Sequence, residues 1–234
     1  KKKQNLGLSA RAKFILQLAV AVALLYLLRL EGYLEAHLYV PFWNVTVDLP
    51  DWLYFVLAAF IVVGTVNAVN LTDGLDGLAS SVTIPVMICF TAVSYFWGMQ
   101  FASLGIFAAG LTGGLFGFLL YNFYPAKCFM GDTGSLFLGG AVCGLAFALD
   151  VPLILVPLGI IYIIETLSDI IQVGYFKLTH GKRVFKMAPF HHHLEMGGWT
   201  GHKWTEVQIV TLFTSVTVVF AVIAFLGCMH RFAA

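Results

Sequence analysis

Seven stretches of this chain are apolar and long enough, or nearly so, to cross a lipid bilayer, and this feature decides its class. They cover residues 12–30, 52–69, 78–97, 101–120, 135–149, 151–175 and 207–229. A soluble globule of 234 residues could not hide a hydrophobic share of 60%, so the solvent around these stretches must be lipid. Lipid offers no partner to backbone N–H and C=O groups, so each stretch has to satisfy its own as a helix. The expected fold is an all-α polytopic transmembrane helix bundle, one integral membrane domain over residues 1–234. The fifth stretch is short. Only Asp150 separates it from the sixth, with Pro152 following, so a re-entrant pair is the alternative there.

Basic residues orient the bundle. If the side holding Lys1, Lys2 and Lys3 is the inside, seven alternating spans also place Arg11, Lys13, Lys127, Lys177, Lys182, Arg183, Lys186 and Lys203 inside. Arg29 and Arg231 alone fall outside, and the carboxyl terminus ends there. The start has no methionine and no signal-peptide pattern, which reads as an interior point of a longer protein. With 13 basic and 12 acidic residues there is no nucleic-acid footprint. Cys89, Cys143 and Cys228 sit in apolar runs and Cys128 in a loop, without a CxxC pair, so packing is their expected role.

Outside, the alternation in Trp43-Asn44-Val45-Thr46-Val47-Asp48 predicts a small hairpin on the surface. Trp43, Trp52, Tyr54, Tyr95 and Trp97 are expected to form an interfacial aromatic belt there. In the fourth span Gly110, Gly113, Gly114 and Gly117 make two overlapping GxxxG pairs. Tight packing inside the bundle is the plain reading, and a dimer face the alternative.

Three polar segments remain, and all fall inside as loops over residues 70–77, 122–135 and 176–206. The first holds Asn67-Ala68-Val69-Asn70-Leu71-Thr72-Asp73-Gly74-Leu75-Asp76-Gly77. Its aspartates either cap the third span or, with Asn70 and exposed amides, recognise a ribose or base. The second holds Phe129-Met130-Gly131-Asp132-Thr133-Gly134-Ser135 ahead of an apolar helix. A glycine-rich helix start suits phosphate, and Asp132 suits Mg²⁺, which takes few carboxylates plus substrate phosphates. It lacks the Gly-Lys-Ser/Thr of a Walker loop. The third holds Met187-Ala188-Pro189-Phe190-His191-His192-His193-Leu194-Glu195 amid lysines and an arginine, a cationic patch facing anionic phosphates.

Glu165 and Asp169 lie within the sixth span on one helical face. Counted along a straight helix from Tyr175, Asp169 is about 9 Å deep and Glu165 about 15 Å. Asp169 is then expected to reach the site, and Glu165 to make a structural hydrogen bond within the bundle.

Together the three segments resemble those of the polyprenyl-phosphate N-acetylhexosamine-1-phosphate transferases, over essentially the whole chain. The histidine segment resembles the branch that uses UDP-MurNAc-pentapeptide. The resemblance implies ten spans, of which these match the last seven. It also implies a paired-aspartate motif just before Lys1 that this chain lacks, so alone it is expected to be inactive. It implies Asp132 as the Mg²⁺-linked, catalytic aspartate and His191 as the catalytic head of the histidine motif, with His192 and His193 beside it. Asn70, Asp73, Asp76, Asn122, Phe129 and Gln172 fall where the family handles uridine and nucleoside inhibitors. The implied partners are UDP-MurNAc-pentapeptide, undecaprenyl phosphate, membrane lipid and a second copy of the chain, at a bacterial plasma membrane. A GlcNAc-1-phosphate transferase and a membrane transporter stay as alternatives, the latter because intramembrane acids also mark ion pathways.

Overall fold

The computed structural model describes residues 9–229 and 231. Lys1, Lys2 and Lys3, taken above as the inside marker, lie outside the described residues. The chain is an all-α polytopic membrane bundle. Helix α1 (Ala10–Leu30) begins at Ser9, whose hydroxyl accepts the N–H of Ala12. A two-stranded antiparallel hairpin, β1 (His37–Val40) with β2 (Val45–Asp48), pairs Leu38 with Val47 and so keeps the expected alternation. Then come α2 (Asp51–Thr72), α3 (Leu78–Trp97), α4 (Ala102–Asn122) and α5 (Gly131–Ala148). Short α6 (Leu155–Leu158) and long α7 (Ile160–Leu178) follow, then α8 (Phe190–Glu195) and α9 (Glu206–Cys228).

Among the described residues six helices are long and apolar enough to span, and the sixth expected span is not straight. Its two parts meet at an angle of 80° around Gly159, and Tyr175, Asp169 and Glu165 all lie on the longer part, α7. Pro152, Pro157 and Gly159 crowd the break, and each interrupts a regular helix. The fifth span is longer than expected, because its helix starts at Gly131 inside the glycine-rich segment.

Helix α3 is the centre of the bundle. It packs against α4 on one side and α9 on the other, while α2 packs against α1, α5 and α7. Two sequence expectations fail at the periphery. A side chain placed on Gly110, Gly113, Gly114 or Gly117 would meet nothing within 4 Å among the described residues, so these glycines do not serve packing within this bundle. The close approach of α4 to α3 is at Gly105 instead, where a Cβ would stand 3.0 Å from Cβ of Ser94. Tyr54 and Trp97 are buried rather than part of the aromatic belt, which Trp43, Trp52 and Tyr95 do supply. Trp97 turns inward because its Nε1 donates to the carbonyl of Cys228 at 3.0 Å.

The hairpin end is bolted together by charge. Arg29 donates to the Leu34 carbonyl at 3.2 Å and to Asp51 at 3.3 Å. Asp150 takes His37 at 2.7 Å and also binds Arg231. The Arg231 guanidinium lies 4.3 Å from the ring centre of Tyr39 and 5.5 Å from that of Trp97. The opposite end carries the three polar segments.

Candidate active site

Helix α2 runs on past its apolar stretch to deliver Asn70, and its last turn releases the chain at Asp73. Gly77, at φ +76°, opens α3 without any side-chain cap, so neither Asp73 nor Asp76 is needed to cap that helix. Across from Asn70, α5 presents Asp132 in its first turn. Asp132 is not the helix cap either. Its Oδ1 accepts from Nδ2 of Asn70 at 3.0 Å, and its Oδ2 accepts from Nζ of Lys13 at 3.1 Å. Lys13 also donates to Oδ1 of Asn70 at 3.0 Å, and Asn70 donates to Oγ of Ser135 at 2.8 Å. Three helices thus meet on one carboxylate, whose side chain is still 72% exposed.

Asp73 belongs to the same electrostatic group. Burial first, and the Asp132 carboxylate second, push its carboxyl above the ordinary carboxylate value. Lys13 is the counter-cation of Asp132, whose carboxylate still keeps enough exposure to meet a further cation. Mg²⁺ takes one or two carboxylates and fills its other positions with water and phosphate oxygens, so Asp132 and Asp73 suffice as donors. Among the described residues no group of three His, Cys, Asp or Glu side chains converges.

The other predicted residues divide by what already holds them. Phe129 stands open at the mouth, 76% exposed, with its ring available for stacking. Asp76 accepts the N–H of Ala126 at 2.8 Å, fastening the 122–128 loop to the first segment. Asn122 is buried, donating to the Cys128 carbonyl at 2.9 Å and accepting from Ser80. Gln172 accepts from the N–H groups of Val184 and Phe185 and donates to the Phe185 carbonyl. Asp76, Asn122 and Gln172 therefore set the shape of loops, and a ligand would meet the backbone they position.

The histidines are held differently from one another. His191 is buried, with Nδ1 2.7 Å from Oε2 of Glu165 and its backbone N–H donating to Oε1 of Glu165 at 3.2 Å. His192 shares Nδ1 with Glu195 at 2.6 Å. His193 accepts the Lys186 N–H at Nδ1 and packs beside Trp199, their ring centres 4.4 Å apart. Burial, and then the Lys186 ammonium, hold His193 below its ordinary value, which favours the neutral ring. Glu165 does make a hydrogen bond inside the bundle, but the bond ties it to the site through His191. Asp169 sits half-buried one turn further along α7.

Lys13, Ser135 and Gly74 belong to this site and were not singled out from the sequence. Lys13 did carry a signal, being a cation at the start of a membrane helix. Gly74 carried none, because its part is to lack a side chain next to His191.

The chain matches glycosyl transferase family 4 over residues 5–150. It is 50% identical to the phospho-N-acetylmuramoyl-pentapeptide-transferase of Clostridium acetobutylicum, over 96% of this chain and 68% of that protein. The protein of the same name from Clostridium perfringens is 50% identical over 96% of this chain and 66% of its own length. That of Listeria monocytogenes is 42% identical over 95% and 66%. The chain spans about two thirds of the length of these relatives.

Proposed function

The chain belongs to glycosyl transferase family 4 and, within it, to the phospho-N-acetylmuramoyl-pentapeptide transferases, and from that premise we propose that it moves phospho-MurNAc-pentapeptide from UDP-MurNAc-pentapeptide to undecaprenyl phosphate. UMP leaves, and the product is the first lipid-linked precursor of peptidoglycan. The observation that supports this most is the open carboxylate of Asp132 where α1, α2 and α5 meet. The excess of basic residues at the same end supports a site on the cytosolic face of the plasma membrane.

The reaction breaks one phosphoanhydride and makes another, so the residues' task is alignment and charge neutralisation. An oxygen of the lipid phosphate attacks the sugar-linked phosphorus. The bond from that phosphorus to the bridging oxygen breaks, and the oxygen departs with UMP. The second pKa of a phosphate monoester is near 6, so the attacking oxygen is already mostly ionised and a general base adds little. Direct attack is therefore favoured over an aspartyl intermediate. Mg²⁺, held by Asp132 and Asp73, would neutralise the diphosphate and the leaving phosphate. Asn70 and Lys13 hold Asp132 in place, and Phe129 stacks on uracil. His191 would serve the phosphates through Nε2, with His192 beside it and His193 packed behind against Trp199. Nucleoside inhibitors would compete at Phe129, and a second copy of the chain completes the reading as a homodimer.

Two apolar grooves lead from the bilayer toward this end and suit a polyprenyl tail. One, of about 650 Å³, lies between α1 and α5 with Lys13 at its rim. The other, of about 350 Å³, lies between α2 and the bent α6–α7 pair. Family membership removes the transporter alternative. The test uses the full-length protein with labelled UDP-MurNAc-pentapeptide, undecaprenyl phosphate and Mg²⁺. Lipid-linked label is the expected result. Product from UDP-GlcNAc alone, or none, would overturn the reading. A phosphosugar trapped on an aspartate at a kinetically competent rate would overturn direct attack.

A further inference from the structure

Glu165 lies in α7 with none of its surface exposed, and it spends both carboxylate oxygens on one residue. Oε1 accepts the backbone N–H of His191, which fixes where α8 begins relative to α7. Oε2 faces Nδ1 of the same histidine at 2.7 Å. A carboxylate oxygen is an acceptor, so Nδ1 carries a proton, and the partner of one ring nitrogen decides the tautomer. Any proton or hydrogen bond that His191 exchanges with a ligand then passes through Nε2.

Nε2 is buried and has no hydrogen-bond partner among the described residues. It lies against Gly74, where a Cβ would stand 2.3 Å from Nε2 and 2.6 Å from Cε1. A side chain at position 74 would fill the ground that Nε2 occupies beside Asp73. His192 also sets Nδ1 against a carboxylate, Glu195, but a part-exposed one three residues away, whereas His193 is held the opposite way, with Nδ1 accepting.

Given the reading that His191 serves the transfer, the geometry points to Glu165 as its positioning residue. Glu165 clamps His191 in the Nδ1-protonated form and aims Nε2 at the Asp73–Gly74 turn, beside the phosphates.

Glu165→Gln tests this because it keeps size and shape but reverses one group. The backbone N–H of His191 still needs an acceptor, and only the amide oxygen can serve. The amide NH₂ then faces Nδ1, which favours a lone pair there and moves the proton to Nε2. Full-length protein in phospholipid nanodiscs is assayed with UDP-MurNAc-pentapeptide, undecaprenyl phosphate and Mg²⁺. Four forms are compared: wild type, Glu165→Gln, His191→Gln and the double variant. We expect kcat to fall ~100-fold in each single variant. The donor KM should stay within about threefold. The double variant should be no slower than His191→Gln by more than about twofold, since the two residues act as one unit. Nitrogen-15 histidine spectra of Glu165→Gln should show one ring with its protonated nitrogen exchanged.

A wild-type kcat for Glu165→Gln beside a slow His191→Gln overturns the positioning role and leaves His191 in place. A wild-type kcat for His191→Gln overturns the reading beneath it. Losses that multiply in the double variant also overturn the inference, because Glu165 then acts apart from His191. If Glu165→Gln does not fold, Gly74→Ala takes its place, since its methyl would stand 2.3 Å from the present position of Nε2 and forces the ring off its aim while Glu165 is kept. Its kcat must fall with the histidine spectrum still showing Nδ1 protonated, and an unchanged kcat overturns the proposal.

Discussion

At the hairpin end Asp150 is held by His37 and Arg231 together, and its side chain is 20% exposed. At the loop end Asp132 is held by Lys13 and Asn70, yet its side chain is 72% exposed. Both are aspartates at helix ends, gripped by residues distant in sequence. The difference lies in what remains. Arg231 and His37 close around Asp150, and Arg231 lies over Tyr39 and Trp97, so little of the carboxylate faces outward. Lys13 and Asn70 take one side of Asp132 and leave the other free. A second carboxylate, Asp73, is disfavoured as an anion, first by burial and then by Asp132. The first arrangement closes its charge into the fold. The second leaves an ion-paired carboxylate open to solvent.

Substitutions can break this contrast or sharpen it. The largest effect is expected from Asp132→Ala, which should lower turnover of the full-length enzyme by about 10³-fold or more while melting behaviour barely changes. Retained activity removes Asp132 from the metal role. Next comes Arg231→Gln at the other end. Breaking a largely buried pair leaves Asp150 short of a partner and should remove about 3 kcal/mol of stability, read as a lower melting temperature in detergent. Turnover per folded molecule should hold, and a loss of turnover at unchanged stability would show that the hairpin end shares in the chemistry. Phe129→Ala should raise the donor KM about tenfold through lost stacking, with kcat nearly unchanged, measured by initial rates. The smallest effect has the opposite sign. Asp73→Asn without metal should gain stability on the order of 0.5 kcal/mol, because it relieves burial and the neighbouring charge. A loss of stability on calorimetry would mean that Asp73 supports the fold as Asp150 does.

The same contrast explains what could be read from the sequence. Apolar runs and basic loops gave the spans and their common polar end, because both are local properties of the chain. The glycine-rich start of α5 marked Asp132 for the same reason. Glu165 resisted, since its partner His191 is 26 residues away in the following polar segment, and nothing local to either residue links them. The break before α7 had a local signal in Pro152, Pro157 and Gly159, but its angle is set by packing. Asn122 and Gln172 resisted in another way. A polar residue in a polar loop looks the same whether it meets a ligand or holds a carbonyl, and here both hold backbone. The glycines of α4 misled because a GxxxG spacing says that a helix can be approached closely without saying by what.

The junction around Arg231 has a mechanical consequence. It gathers the far ends of α3 and α9, the hairpin and the link after α5 at one point. Helix α9 runs from there for 23 residues, about 35 Å, to Glu206, which accepts the N–H of Asp76. A tilt of about 5° at the fixed end carries the other end through roughly 3 Å, about the length of one hydrogen bond. One helix therefore ties this junction to the first polar segment, and a shift at either end would be felt at the other.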